Sequence, residues 1–417
     1  MKIVILSDDF PPISFGGAGI AVYNLAKALK KEGNSVFILT VVQKKEDEGD
    51  IEYDGLIVHK IYSNYHERWR AYLSLYNPET VKKVKRAIFD FKPDVVHAHN
   101  IHKYLSYHSL KIAKQSGAKV FLTAHDMMLF HYGKLVEFIN PNELPCPKGF
   151  NYKVSPWQQI RRYKKRYNPF RNIIIRYYLK YVDKIFAVSN AIKEALNQNG
   201  INNVEVIYNG INTVDWQVDV YLVEKFRDDY NLQNKNVVLF GGRLSELKGG
   251  RQIIKAMEKV VRKLSGAVLL VMGEKGEYSH KMIKIAHDAG IEKNLIFTGW
   301  ISGVDLRSAY NASEIVVMPS IYYEPFGLVC LEAMACKKPV IASCFGGGKE
   351  IVVENETGYT LNPFDTLLMA DRILDLLTDS SKSQKFGNAG FQRVQTEFDL
   401  EKIAQQTMEV YKKFFNT

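Results

Sequence analysis

Pro319-Ser-Ile-Tyr-Tyr-Glu324-Pro-Phe-Gly327-Leu-Val-Cys-Leu-Glu332-Ala-Met-Ala335 follows the apolar run Ile315-Val-Val-Met318. The run reads as a buried strand, 319–325 as a loop, and 327–337 as a helix opening at Gly327. The first amides of that helix, at Gly327, Leu328 and Val329, lack intrahelical acceptors and carry the positive end of the dipole, which suits a phosphate. Glu332 lies about 7 to 8 Å further along the helix axis, placed to accept from a pair of hydroxyls. Glu324 stays in the loop, facing whatever hangs beyond the phosphates.

Working outward, the chain alternates short β-rich runs, glycine turns and amphipathic stretches. Strands are predicted at 2–6, 35–41, 56–61, 94–98, 119–123, 184–188 and 204–207, then at 237–240, 267–272, 295–298, 315–318, 339–342 and 358–361. The alternation predicts two doubly wound α/β domains with parallel sheets, whose ligands belong at the carboxyl ends of the strands and in a cleft between domains. With 417 residues, 46% hydrophobic, the chain is long enough for two cores. The expected division is 1–210, 211–396 and a terminal helix at 397–417.

No apolar run reaches bilayer-spanning length, and the amino end meets Asp8 and Asp9 too soon for a signal peptide, so a cytoplasmic location is expected. The four cysteines, Cys146, Cys330, Cys336 and Cys344, show no CxxC spacing. Their pattern predicts packing roles, with neither disulfide nor structural zinc.

The opening stretch, continued through Pro339-Val-Ile-Ala-Ser343, Phe345-Gly-Gly-Gly-Lys-Glu350 and Glu356-Thr-Gly358, resembles the signature of the retaining glycosyltransferases of family 4. That resemblance implies the GT-B fold: two Rossmann-like domains facing a cleft, with the last helix crossing back to the first domain. Gly16-Gly17-Ala-Gly19, after the first strand, is similar to the family's Gly-Gly-x-Gly loop, implying a phosphate contact for Gly16 and Gly17 and an acceptor-side place for Gly19. Gly242-Arg243 followed by Lys248-Gly249 is similar to its diphosphate-binding pattern, with Arg243 as a planar fork and Lys248 as a point charge. Leu122-Thr-Ala-His125-Asp126 matches the Thr-x-His position, whose histidine reaches the donor sugar near its anomeric carbon.

Carried over in this way, His125, Arg243, Lys248 and Glu324 are the catalytic candidates. Gly16, Gly17, Gly242, Gly273, Trp300, Ile301, Phe326, Gly327, Leu328, Val329 and Glu332 bind the donor. Gly19, His99 and Asp126 lie toward the acceptor. The implied reaction is retaining transfer from a nucleotide sugar to a hydroxyl of a glycan or lipid-linked acceptor, by front-face attack with no carboxylate nucleophile. No metal is expected, because two cations and a helix end can stabilise the departing diphosphate. His97 and His99 share one strand face but lack a third metal ligand.

Three positions depart from the family pattern: Lys337 stands for a glycine, Tyr208 for a proline and Asn212 for an aspartate. A GT-B epimerase, or a non-enzymatic protein binding membrane or nucleic acid, is the alternative reading. The epimerase would lack the full context of the glutamate motif, and the non-enzymatic protein would not account for Arg243, Lys248, Glu324 and Glu332 at the family's positions.

The net charge of +11 is concentrated. Residues 148–184 hold eleven Lys/Arg, Asp183 as the lone acid, and nine aromatics. Basic and interfacial aromatic residues mixed in this way suit an anionic membrane surface and also nucleic acid; the resemblance favours the membrane, since transferases of this family commonly work on lipid-linked acceptors.

Overall fold

The computed structural model describes residues 1–242, 245–273 and 276–415. The chain forms two compact units, one of 1–135, 151–210 and 400–417, the other of 136–150 and 211–399. Segment 136–150, read from sequence as part of the first domain, therefore packs with the second. Its rings decide this: Phe138 and Phe150 pack edge-on against Phe345, with centroids 5.9 and 6.0 Å away.

The first unit is built on β1 (Lys2–Leu6), β2 (Ser35–Val42), β3 (Gly49–Tyr53), β4 (Leu56–Tyr62), β5 (Val95–Ala98), β6 (Lys119–Ala124), β7 (Lys184–Ala187) and β8 (Val204–Val206), in the order β3-β4-β2-β1-β5-β6-β7-β8. All neighbours are parallel except β3, which pairs antiparallel with β4. The sequence reading missed β3. Gly49-Asp-Ile-Glu-Tyr53 is an edge strand with exposed acids, so it has no apolar run to betray it.

The second unit carries β9 (Asn236–Phe240), β10 (Ala267–Val271), β11 (Leu295–Phe297), β12 (Ile315–Met318), β13 (Val340–Ser343) and β14 (Gly358–Leu361), in the order β11-β10-β9-β12-β13-β14. Every neighbouring pair is parallel. Val237–Phe240, Ala267–Leu270 and Ile315–Val317 are fully or almost fully buried, as strands covered on both faces must be. Helix Gly250–Lys263 covers one face with Ile253, Ile254, Met257 and Val260.

The last helix, Leu400–Lys413, buries Ile403, Ala404, Met408 and Tyr411 in the core of the first unit, with Ile3, Ile5, Val22 and Ala26. Its approach requires Gly210, where a Cβ would stand 2.7 Å from the Cα of Leu400. Tyr411 then bonds His97 Nδ1 at 2.6 Å, and Thr123 holds the other ring nitrogen at 2.7 Å. His97 is thereby assigned to the core.

Candidate active site

In each sheet the strand order reverses beside the first strand of its unit. Loops leaving the two strands at that point diverge to opposite faces and open a crevice at their carboxyl ends. In the second unit those strands are β9 and β12, whose following loops are 241–249 and 319–327.

Glycines let the two loops touch. Gly241 donates to Val317 O at 2.8 Å, and a Cβ there would meet Val329 Cγ1 at 2.5 Å. At Gly249 φ is +82°, and a Cβ would lie 1.9 Å from Pro319 O. Ile321 N donates to Leu247 O at 2.8 Å, completing the seam.

Across it Lys248 Nζ sits 2.6 Å from Glu324 Oε2, which also accepts from Ser320 Oγ at 3.0 Å. Glu324 is only 8% exposed. Its backbone is clamped from the other side by Phe345 O, accepting from its amide at 3.1 Å, and by Gly347 N, donating to its carbonyl at 2.8 Å. A Cβ at Gly346, where φ is +99°, would collide with that carbonyl. Three loops thus fix one carboxylate and one ammonium in place.

The helix is shorter than expected, Leu328–Ala335, with Gly327 as its N-cap at φ +98° rather than its first residue. Gly327, Leu328 and Val329 lie at its entrance as the reading required. Phe326 is buried against Phe398, so only its backbone can serve a ligand. Glu332 is partly exposed and accepts from the hydroxyl of buried Tyr310, a partner no motif announced. Burial holds the Glu332 carboxyl above its ordinary value, offset in part by that hydrogen bond.

Gly273 and Gly299 end β10 and β11 and pair across them, N to O, at 2.8 Å. Trp300 beside them is exposed and Ile301 half-buried. Gly242 adopts φ +114° next to the Lys248 side chain. Arg243 lies outside the described residues. The second unit therefore gathers its candidates along the carboxyl edge of one sheet.

The first unit gathers the others the same way. Gly16 caps the helix Gly17–Lys31, and a Cβ at Gly19 would press within 3.2 Å of Asp9 O. His99 Nδ1 and His125 Nε2 are 2.9 Å apart, and both rings are buried. Burial lowers the His125 pKa to about 4, against a small opposing pull from Asp126, so the imidazole is neutral. Asp126 accepts from the Met128 amide at 2.8 Å and reaches His102 at 3.4 Å.

At this unit's own reversal point, between β1 and β5, lies a cavity of about 490 Å³ lined by Asp8, Asp9, Tyr65, Arg70, Lys103 and Tyr104 among others. The sequence reading named none of these as site residues, although Asp8-Asp9 follows β1 with Ser7 alone between. Asp8 accepts from the amides of Lys103, Tyr104 and Leu105 at 2.7 to 3.0 Å. Burial nonetheless raises its pKa to about 6, the amides opposing.

Among the described residues no three His, Cys, Asp or Glu side chains converge to hold a metal ion. No described helix is long and apolar enough to cross a membrane.

Family models match both halves of the chain: Glycosyltransferase Family 4 over residues 15–215 and Glycosyl transferases group 1 over 223–393. The chain belongs to these glycosyltransferases. An uncharacterized glycosyltransferase of Methanocaldococcus jannaschii is 27% identical over 99% of this chain and 98% of its own. Glycogen synthase of Mycobacterium tuberculosis is 25% identical over 99% and 94%. In structure, the glycosyltransferase is similar to sucrose-phosphate synthase from Thermosynechococcus elongatus (TM-score 0.77, 24% identity, 100% and 99% covered). It is also similar to Anabaena HepE, solved in complex with UDP and glucose (TM-score 0.74, 21% identity, 99% and 100% covered). Both have the same two-domain GT-B fold.

Asn212, one of the departures from the family pattern, has a local role: its side chain accepts from Val214 N at 3.2 Å and caps the turn 213–216. Tyr208, another, accepts at its hydroxyl from Asn190 Nδ2 over 2.9 Å.

Proposed function

We propose that this enzyme moves a sugar, with retention of anomeric configuration and without a metal ion, from a nucleotide sugar to a hydroxyl of a glycan or lipid-linked acceptor. The observation that carries the reading is the Lys248–Glu324 pair, fixed at the carboxyl ends of neighbouring strands beside the entrance of helix Leu328–Ala335. An ammonium and first-turn amides on one edge are placed for a diphosphate, and Glu324 for sugar hydroxyls. As the glycosidic bond breaks, charge grows on the departing phosphate, where preorganised donors act most strongly. That phosphate takes the proton of the incoming hydroxyl, so neither Glu324 nor Glu332 serves as nucleophile. Glu332 accepts from ribose hydroxyls. HepE, bound to UDP and glucose, supports a nucleotide-sugar donor here.

For the acceptor side we infer attachment to the anionic inner face of the cell membrane. Segment 151–184 exposes Trp157, Phe170 and Ile173 together with Arg161, Arg162, Lys164, Lys165 and Arg166. The surface is smaller than the charge count suggested. Arg171 is fully buried and bonded to Asn172 at 3.1 Å and to the Met128 carbonyl, and Tyr152 and Tyr167 are buried too.

A thermal-shift screen with UDP, GDP and ADP in EDTA, followed by hydrolysis of the matching nucleotide sugars, tests the donor reading. One nucleoside diphosphate is expected to stabilise the protein and its sugar conjugates to be turned over. Failure of all three sinks the donor, and activity lost in EDTA but restored by magnesium sinks the metal-free mechanism.

A further inference from the structure

His97 lies on β5, His99 just past its end, and His125 just past the neighbouring strand β6. Their three rings run in a row. Tyr411 and Thr123 hold His97 by its two nitrogens, His97 packs on His99 with centroids 4.1 Å apart, and His99 stacks with His125 at 5.2 Å. The His99 backbone is fixed too, its amide donating to Leu6 O at 2.8 Å.

His99 Nδ1 and His125 Nε2, 2.9 Å apart, share one proton. Burial keeps both rings neutral, holding His99 well below the ordinary histidine value and His125 at about 4. A neutral imidazole carries a single proton, so the direction of this one bond sets the tautomer of both rings. If His125 donated from Nε2, the His99 proton would sit on Nε2, a sealed atom with no hydrogen-bond partner among the described residues. A buried N–H without an acceptor is the costlier orphan. A bare nitrogen there loses less, since surrounding C–H groups still act as weak donors. With His99 donating from Nδ1, His125 must carry its own proton on Nδ1. That atom has no hydrogen-bond partner among the described residues, yet it is not sealed from solvent.

We propose that His99 is a positioning residue for the sugar transfer: its Nδ1–H donates to His125 Nε2 and holds His125 in the tautomer that presents Nδ1–H to an oxygen of the bound sugar. The meeting of His125 with the sugar rests on the donor reading given above, whereas the tautomer does not depend on it. His99, placed from sequence toward the acceptor, thus acts through His125. Neither proton is transferred; the pair orients a donor.

The test reads imidazole nitrogen resonances of the full chain, labelled with nitrogen-15 in histidine alone, at mildly alkaline pH. Protonated and bare ring nitrogens resonate far apart, and only Nε2 couples to both ring C–H protons. Coupling across the N–H···N bond should single out one pair among the ten histidines, with the proton on a δ nitrogen and the bare partner an ε nitrogen. A proton on the ε nitrogen, or no coupled pair, overturns the proposal. His99→Leu keeps the bulk and removes the donor. It should release His125 into a mixture of tautomers and lower kcat for donor turnover about tenfold, with KM little changed. His99→Asn, whose amide offers an N–H near the Nδ1 position, should restore both. Unaltered kcat in a His99→Leu protein shown by thermal melt to be folded would overturn the positioning role, and if that variant does not fold the spectrum of the unaltered chain decides. A chain that turns over no nucleotide sugar fails the donor reading, while the resonances alone still decide the His99–His125 pair.

Discussion

Lys248 Nζ lies 2.6 Å from Glu324 Oε2, across a seam between the loops that follow β9 and β12. Lys248 balances a carboxylate that is only 8% exposed, and under the proposed function its charge also serves the donor diphosphate. Lys248→Ala is expected to lower kcat/KM about 100- to 1,000-fold, the usual loss for one preorganised donor. Donor hydrolysis checks this. A parallel thermal melt separates lost chemistry from the cost of leaving Glu324 unpaired. An unchanged rate would remove Lys248 from the mechanism.

The seam itself can be broken without touching a charge. Gly249→Ala puts a methyl 1.9 Å from Pro319 O at φ +82°, whereas a Cβ at Gly266 meets nothing nearer than 3.7 Å. Gly249→Ala should destabilise the enzyme by about 2 kcal/mol or more, and Gly266→Ala by a few tenths at most. Urea midpoints of the two variants decide it, and equal midpoints would refute the seam.

His125 makes stability depend on pH. Its folded pKa is lowered to about 4 by burial, below the roughly 6.5 of an unfolded histidine. Between those values the unfolded chain binds the proton and the folded chain does not, so stability falls as pH falls through that window. The slope is about 1.4 kcal/mol per pH unit for this one group. His125→Gln should lessen the slope between pH 6.5 and 4 by that amount, the buried His97, His99 and His102 keeping the rest. Denaturation at several pH values measures it, and a slope unchanged from wild type would place the titration elsewhere.

Lys337 closes helix Leu328–Ala335 in the left-handed region, at φ +56°, where the family pattern has glycine. Its amide donates to Met334 O and that of Lys338 to Ala333 O, both at 2.9 Å. A side chain there costs about 1 kcal/mol. Lys337→Gly should raise stability by about 0.5 to 1 kcal/mol, reduced by the loss of the Lys337 contact over Phe391 at 5.0 Å. A lower melting temperature would show that this contact outweighs the strain.

Vesicles rich in anionic lipid should carry the enzyme upward on flotation, and high salt should release it. Exchanging Arg161, Arg162, Lys164 and Lys165 for glutamate should abolish binding without unfolding the protein, since all four are exposed. Equal flotation of the altered protein, or none by the original, would end the membrane proposal.

The strand pattern and the glycine turns were enough to specify two parallel-sheet units, because buried parallel strands must be apolar along their whole length and their turns need left-handed or crowded backbone. Gly249 and Gly346 show this: their left-handed backbone, at φ +82° and +99°, is a local feature, so the residue type announces the geometry. The motif likewise set Lys248, Glu324 and Glu332 on one sheet edge, since parallel strands deliver all their carboxyl-end loops to the same side. Other features depend on residues distant in sequence, with no periodicity or spacing to join them. Tyr310 on Glu332, the amides of 103–105 around Asp8 and the return of 136–150 to the second unit are all of this kind. The same limit applied to residues 148–184, where composition counted Arg171 as surface charge. Only packing, which buries Arg171 beneath Tyr132 at 5.5 Å, separated the basic face from the core.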